Sequence, residues 1–553
     1  MPVITFELND LKKEGYALKS LEQILPKIGM EIEEVTDHEI HLSAAPNRLD
    51  LLDFAGLIRT LDNFTGKKIP RENFYKIKKE PVLEIYVDAK VKQTRSYIGG
   101  LVVKNLDLNG NLLKYLINFT EKFVDTYGRR RKKIAIGLHN LDAVKGNIVY
   151  SASSDESFVP LNGPKKISFN EIMQKNDKGI NYRDTIPNYG NKNVVYPFIK
   201  DDEKILAMIP IINSEATKVT QKTRNLFIDI TGTSPIAIEN TANLLACSFL
   251  YVGAEVYPVK IKNQKEMPIT PLLEYQKIRV NMLKVDKVIG TVIEKKKSIA
   301  LANKMGYVAA QYGNATMFYV PPYRIDVMNE QDVTEDIAIA FGYENIAPQP
   351  IVGISSGLAG DLQEYQNKLS VFAVGLGIME AINSSLTNEK MNYADMLQSH
   401  KDKNYISIAE SKTENISMLR TMLLPGLLNN LSNSRSYKMP QRLFEVGSTF
   451  TFDKNAIKES IDISIVSEHA KANFSEMRSM VDALLIYLDT SSYRILEHKD
   501  NSFIEGRCCK IEIDKKVVGI FGELHPKVLQ NFGLDEPCVG LELTLIDDVE
   551  YKF

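Results

Sequence analysis

Near residue 350 the chain reads Pro348-Gln349-Pro350-Ile351-Val352-Gly353-Ile354-Ser355-Ser356-Gly357, and this stretch constrains the fold more than any other. Its prolines fix φ and remove backbone donors, while its Gly/Ser tail favours neither helix nor strand. It reads as a linker, so the residues on either side of it must bury cores of their own. At 553 residues, three to five domains are expected, because single cores stop growing at roughly 250–300 residues. The composition permits this: 44% hydrophobic and 25% charged residues, with 31 Gly and 22 Pro, exclude a disordered or collagen-like chain. The longest apolar run, Leu244 to Ala254, is interrupted by Ser248 and Gly253. It is too short to span a bilayer and reads as a buried helix. The opening MPVITFELND lacks the basic and apolar regions of a secretory signal.

Two further exclusions narrow the function. The linker contains Gly353-x-Ser355-x-Gly357, the spacing of a hydrolase nucleophile elbow. That device needs a buried strand before the serine and a helix after it, whereas this match follows Pro348, Gln349 and Pro350 in a linker and is read as chance. No Gly-rich phosphate loop, dinucleotide fingerprint or HExxH occurs. Cys247, Cys508, Cys509 and Cys538 form no CxxC pair, so reduced thiols in a cytoplasmic protein are expected, without zinc or membrane. A net charge of −2 argues against a surface coated for nucleic acid. Local basic runs remain, at Arg129, Arg130, Arg131, Lys132 and Lys133 and at Lys295 to Lys297. Each reads either as solvated surface or as a phosphate-binding patch.

The pattern of periodicities predicts an α+β multidomain chain. Residues 1–75 read as a small α+β domain, with a strand over Val3 to Leu8 and a helix over Leu18 to Ile28. A second helix there carries Leu51, Phe54, Ile58, Leu61 and Phe64 on one face, with Asp50 and Asp53 in its first turn. Residues 76–260 are strand-rich: Leu83 to Val87, Tyr97 to Val103, Lys133 to Gly137, Ile205 to Ile212 and Leu226 to Ile230. Residues 268–348 read as mostly helical around one strand, Met317 to Val320, and close on a helix near Val333 to Phe341. Residues 358–553 alternate helices and strands.

The most informative segment runs from Tyr323 to Asp336. Val333, Ile337, Ala340 and Phe341 form one helical face, while Asp332, Glu335 and Asp336 gather on another, one turn apart. Asp326 is expected on the incoming strand, facing them. Oxygen-only clusters of this kind suit Mg2+. Asp332-x-x-Glu335 is equally a capping-box pattern, with first-turn acids complementing the helix dipole. Spacing leaves both readings open.

PYRIDVMNEQDVTEDIAIAFGYENI resembles the metal-site region of phenylalanyl-tRNA synthetase beta subunits. Other segments resemble that family in the same order. APNRLDLLDFAGLIRTL matches its N-terminal signature; RRKKIAIGLHNLD, MIPIINSEATKVT and NLFIDITGT match its central editing domain; LRTMLLPGLLNNLSNSR, RLFEVGSTF and FGELHP match its C-terminal catalytic-like domain. The resemblance spans nearly the whole chain, and its domain arrangement is that of the shorter archaeal and eukaryotic cytosolic type.

The resemblance implies Asp326, Asp332, Glu335 and Asp336 as Mg2+ ligands. It also implies a last domain with a class II synthetase-like antiparallel sheet and no active site. Class II sites use a Phe-Arg-x-Glu strand to bind ATP, whereas here Leu443 and Phe444 precede Glu445. ATP would then be bound mainly by a separate alpha subunit in an (αβ)2 heterotetramer acting on L-phenylalanine and tRNA(Phe). Hydrolytic editing of Tyr-tRNA(Phe) would fall to this chain, because a pocket for phenylalanine rejects an added hydroxyl by only ~10²-fold. Strand alternation sets Phe227, Asp229 and Thr231 on one face. Asp229 is expected to hold the ammonium or orient water, and Thr231, Asn213, Ser214 and His139 to contact the substrate. Two rival readings are a stand-alone aminoacyl-tRNA deacylase and a non-catalytic tRNA-binding or assembly protein.

Overall fold

The computed structural model describes residues 2–547, except 71–73, 109, 192, 313–314, 351–352, 354–355, 400–403, 410, 412, 414, 454–455 and 491. Ile351, Val352, Ile354 and Ser355 of the expected linker, and with them the centre of the GxSxG match, lie outside the described residues. The chain divides into two compact units, Met1–Pro350 and Ile351–Phe553, at that same Pro/Gly-rich stretch.

The first unit opens with a three-stranded antiparallel sheet in the order Val3–Glu7, Glu39–Ala44, Met30–Val35. The amphipathic helix expected from Leu51 begins later. Leu49–Leu52 form a 3-10 turn, and the α-helix runs Phe54–Thr65, capped by the Asp53 carboxylate, which accepts from Gly56 N at 3.1 Å. Asp50, expected in the same first turn, does not cap. It is buried and accepts two hydrogen bonds from Arg48, at 2.9 and 3.0 Å, because the 3-10 turn directs it inward.

A ten-stranded sheet dominates the unit. In spatial order its main path runs Ile212–Asn213, Ile205–Met208, Tyr196–Lys200, Ile148–Ser153, Leu83–Val87, Glu255–Lys262, Tyr97–Lys104, Leu226–Gly232 and Ile134–Asn140. Helices Leu112–Asp125 and Pro235–Tyr251 cover one face, burying Leu226, Ile228 and Ile230 with Phe119, Ile238 and Leu245. The opposite face buries Phe227 among Ile98, Val102 and Ile148. The first apolar cluster runs continuously from Ile4 and Phe6 through Leu57 to Phe123 and Leu244, so the first 75 residues share their core with the large sheet.

A further three-stranded sheet, in the order Gln276–Val280, Ala315–Val320, Val308–Tyr312, packs under helices Met282–Ile289, Lys295–Lys304 and Glu330–Phe341. The sequence pattern offered one strand here. Gln276–Val280 was missed because it buries only Ile278 and Val280 between exposed polar neighbours. Asp326 is not on a strand. The ladder ends at Val320, because Pro321 and Pro322 lack amide donors, and the chain then turns, with Arg324 N donating to Pro321 O at 2.9 Å.

The second unit is built on a seven-stranded sheet in the order Met379–Glu380, Gln441–Asp453, Ala456–Glu468, Cys538–Asp547, Lys516–Leu524, Phe503–Ile513, Tyr493–Glu497. It is antiparallel apart from the first pair. Helices Asp361–Gly375 and Phe474–Tyr487 close one face over Phe444, Ile463 and Leu541. Helices Leu424–Asn433 and Pro526–Phe532 close the other over Val466, Cys508 and Cys538. All four cysteines are free thiols. Among the described residues no helix is long and apolar enough to cross a membrane.

Candidate active site

Strand Leu226–Gly232 lies between strands Tyr97–Lys104 and Ile134–Asn140, and all seven of its residues are buried. Register places Asp229 directly opposite Gly100 on one neighbour and Gly137 on the other. The glycine at 137 is required: a Cβ there would meet Asp229 Oδ2 at 1.9 Å. A missing side chain in the strand interior therefore makes the space an acid occupies. Asp229 is 1% exposed and His139 is fully buried behind it. His139 Nε2 lies 3.0 Å from Asp229 Oδ2, and its Nδ1 lies 2.8 Å from Thr217 Oγ1. With Asp229 ionised, Nε2–H donates to the carboxylate and the Thr217 hydroxyl donates to Nδ1. The imidazole also stacks on Phe227, with centroids 5.7 Å apart. Asp229 Oδ1, by contrast, is buried and has no hydrogen-bond partner among the described residues.

That carboxylate lines a cavity of about 270 Å³. The cavity sits where the two ends of the large sheet approach each other. Asn213, on one terminal strand, donates from Nδ2 to Leu138 O on the other at 3.1 Å. Arg131 closes the same seam, its Nη1 donating to the carbonyls of Pro210 and Ile211, each at 2.9 Å, with its guanidinium 4.1 Å over the Tyr182 ring. Helix Leu112–Asp125 supplies a third wall through Ile117, Thr120 and Val124.

The five residues expected to handle substrate separate into three groups. Asp229, Asn213 and Ser214 line the cavity. The Ser214 hydroxyl is already engaged, donating to Val159 O at 3.3 Å and accepting from Ala216 N at 3.2 Å. His139 does not line the cavity but holds Asp229 from behind. Thr231 is buried away from it, accepting from Arg95 Nε at 3.1 Å through its hydroxyl and from Arg95 Nη2 at 2.7 Å through its carbonyl. Burial pushes the Arg95 guanidinium down to about 10. Thr217, Gly137 and Lys178 were not singled out from sequence, although the interior glycine was a visible signal, and Arg131 stood out only as part of a basic run. Arg129, Arg130 and Arg131 adopt three consecutive left-handed conformations, with φ of 50°, 51° and 67°. Each costs roughly 1–2 kcal/mol for a residue bearing a side chain, and the resulting tight turn directs Arg131 across the seam.

The acidic segment is organised differently. Helix Glu330–Phe341 starts at Asn329 in a capping box, with Asp332 Oδ2 accepting from the backbone N–H groups of Met328 (2.7 Å) and Asn329 (2.9 Å). Asp326 and Asp336 share one guanidinium: Arg324 donates to Asp326 through Nε (2.9 Å) and Nη2 (2.8 Å), and to Asp336 through Nη2 (2.6 Å). Asp336 also accepts from the Tyr307 hydroxyl at 2.5 Å, and burial with that contact raises the phenol well above its usual range. Glu335 is exposed. These four acids do not fit a cation cage, because two are engaged by one arginine, one caps a helix and one faces solvent. Among the described residues no group of three or more His, Cys, Asp or Glu is placed to hold a metal ion. Tyr323, beside them, carries the buried Arg59 guanidinium 3.5 Å over its ring, and Arg59 lies 3.8 Å from Asp50. The N-terminal signature and the acidic segment are therefore parts of one buried polar network.

In the second unit Glu445 is buried and tied by Arg420 Nη1 at 2.5 Å and by Asn383 Nδ2 at 2.7 Å.

Comparison with known proteins gives these features a class. Residues 109–248 match the family described as B3/4 domain, residues 278–343 the tRNA synthetase B5 domain, and residues 349–545 the phenylalanyl tRNA synthetase beta chain CLM domain. Together they define a subunit of an aminoacyl-tRNA ligase. The phenylalanine–tRNA ligase beta subunit of Archaeoglobus fulgidus is 33% identical over 549 residues, covering 99% of this chain and 98% of that one. That of Methanocaldococcus jannaschii is 33% identical over 563 residues, covering 99% and 100%. A crystal structure of an N-terminal fragment of the Pyrococcus horikoshii phenylalanyl-tRNA synthetase beta subunit superposes with a TM-score of 0.58 at 29% identity, covering 62% of this chain and all of the fragment. The chain belongs to the phenylalanine–tRNA ligase beta-subunit family.

Proposed function

We propose that the chain works in the cytoplasm with an alpha subunit in an (αβ)2 assembly that joins L-phenylalanine to tRNA(Phe) at the expense of ATP and Mg2+. Adenylate formation and transfer belong to the alpha subunit, and this chain hydrolyses Tyr-tRNA(Phe) in the cavity of its first unit. In the second unit, the buried Glu445 tied to Arg420 supports an inert class II-like domain, since neither group is left for a nucleotide. The exposed apolar side chains Val371, Val374, Met379 and Ile382 on that unit support a partner surface there.

The observation that carries the editing reading is that Asp229, whose buried Oδ1 has no hydrogen-bond partner among the described residues, lines the cavity. A buried carboxylate oxygen with no donor costs at least about 1–3 kcal/mol, more when charged. An aminoacyl ester brings the missing donor in its α-ammonium. His139 keeps the carboxylate aimed, and Thr217 fixes the imidazole. Held by its ammonium, the ester presents its carbonyl carbon to water in a site closed by the Arg131 seam. In this reading Asp326, Asp332, Glu335 and Asp336 do not hold the Mg2+ of the reaction.

Co-expression with a candidate alpha subunit tests the division of labour. Phenylalanine charging is expected only from the mixture, whereas deacylation without the partner would favour a stand-alone deacylase, and neither activity a non-catalytic binding protein. In the complex, Asp229→Ala should lower Tyr-tRNA(Phe) hydrolysis by roughly 10²-fold while phenylalanine charging continues. Unchanged hydrolysis would remove Asp229 from the site.

A further inference from the structure

Three cations line the cavity, and they are not equivalent. Arg131 directs its guanidinium at two backbone carbonyls. Lys218 is held by Asn162 Oδ1 at 2.7 Å and Glu215 Oε1 at 3.1 Å. Lys178 Nζ has neither hydrogen bond nor ion pair among the described residues, although its side chain is half-buried.

The backbone beneath Lys178 is rigidly placed. Its N–H donates to Asn176 Oδ1 at 3.0 Å at the start of the short helix Asp177–Asn181. The next residue, Gly179, packs so closely on helix Phe169–Lys175 that a Cβ would meet Ile172 O at 2.1 Å. Lys178, with an ammonium unpaired among the described residues, and Asp229, whose buried Oδ1 has no partner among them, thus line one cavity. Burial and the neighbouring Arg131 depress the Lys178 amine below its usual range, while Glu121 on helix Leu112–Asp125 opposes this. A lysine in that state gains when an anion arrives.

We propose that Lys178 is the second pole of the cavity and binds an anionic oxygen of an aminoacyl ester whose ammonium is held by Asp229. The inference rests on the editing reading above and adds the residue that recognises the other end of the substrate. In the reaction, water adds to the ester carbonyl carbon, the carbon–oxygen bond to the ribose breaks, and the ribose oxygen takes a proton from that water. A carboxylic acid is released and ionises in solvent. The anionic oxygen has two sources. One is the oxyanion of the tetrahedral adduct, and the other is a phosphodiester near the 3′ end of the tRNA. An ammonium recognises either.

The test uses the complex with its alpha subunit and compares Lys178→Gln, Lys178→Cys, Lys178→Cys alkylated with bromoethylamine to restore an ammonium, and Asp229→Asn as reference. Hydrolysis of Tyr-tRNA(Phe) should fall roughly tenfold or more in Lys178→Gln and recover on alkylation of Lys178→Cys, with alkylated wild type as control. A loss in kcat that persists with tyrosine methyl ester assigns the oxyanion. A rise in KM that is absent with the methyl ester, which has no phosphate, assigns the phosphodiester. Wild-type kcat and KM in Lys178→Gln alongside a defective Asp229→Asn would overturn the role of Lys178 and leave the editing site standing. Wild-type behaviour in both variants would overturn the editing reading itself.

Discussion

Two groups of carboxylates in the first unit make an instructive pair. Asp229 and the acids of residues 326–336 all stand out in the sequence, and all but the exposed Glu335 are wholly or partly buried. Around Asp326 and Asp336 the fold leaves no buried carboxylate oxygen without a partner among the described residues: Arg324 lies between them, and a tyrosine hydroxyl reaches Asp336 besides. Around Asp229, among the described residues, it supplies one donor, leaves the buried Oδ1 without a second, and sets the residue at a cavity. A buried acid with no buried oxygen short of a donor belongs to the architecture, whereas one left short of a donor is poised for a ligand. The number of acids in a segment says nothing about which case applies.

The largest effect is expected from removing the compensation. Arg324→Leu leaves Asp326 and Asp336 buried without a counter-charge, a change that costs about 3–5 kcal/mol. It should appear as much faster amide hydrogen exchange across helix Glu330–Phe341 and strand Gln276–Val280. Wild-type protection would mean that another cation neutralises these acids, and the contrast with Asp229 would collapse.

A smaller effect is expected at the cavity. The methyl group of Gly137→Ala falls 1.9 Å from Asp229 Oδ2, so the carboxylate has to leave its position. Overpacking of this kind costs about 1–3 kcal/mol of stability, and Tyr-tRNA(Phe) hydrolysis should fall as far as in Asp229→Ala. Retained hydrolysis would show that the orientation fixed by the glycine is not needed.

The smallest effect separates capping from metal binding. Asp332→Ala removes part of a helix cap and should cost about 1 kcal/mol, seen as a lower thermal midpoint. Millimolar Mg2+ should leave the midpoints of wild type and variant unshifted. A Mg2+-dependent rise in the wild type that Asp332→Ala abolishes would restore these acids as a cation site.

Much of the fold was legible because it rests on local rules. The stripe of Val333 and Ile337 placed helix Glu330–Phe341, the alternation around Asp229 placed strand Leu226–Gly232, and the prolines and glycines near residue 350 marked the division into two units. Local rules failed where neighbours decide. Asp50 looked like a first-turn acid but turned inward to Arg48. His139 looked like a substrate contact but stands behind Asp229. Thr231 shares the alternation of Asp229 and yet meets Arg95.

The sequence by itself determined the family, the order of the domains and the chemistry available: a buried acid in a strand, an acid-rich helix start, and a last domain without a Phe-Arg-x-Glu strand. Only the tertiary structure decided which acid is left wanting a partner. Arg324 stands two residues from Asp326 and twelve from Asp336, and nothing in that spacing says it bridges them. The cavity joins residues near 120, 137, 178, 213 and 229, because both ends of a curling sheet and a covering helix meet there. Hydrogen-bond partners and empty space are properties of atoms brought close in three dimensions, which periodicity along a chain does not record.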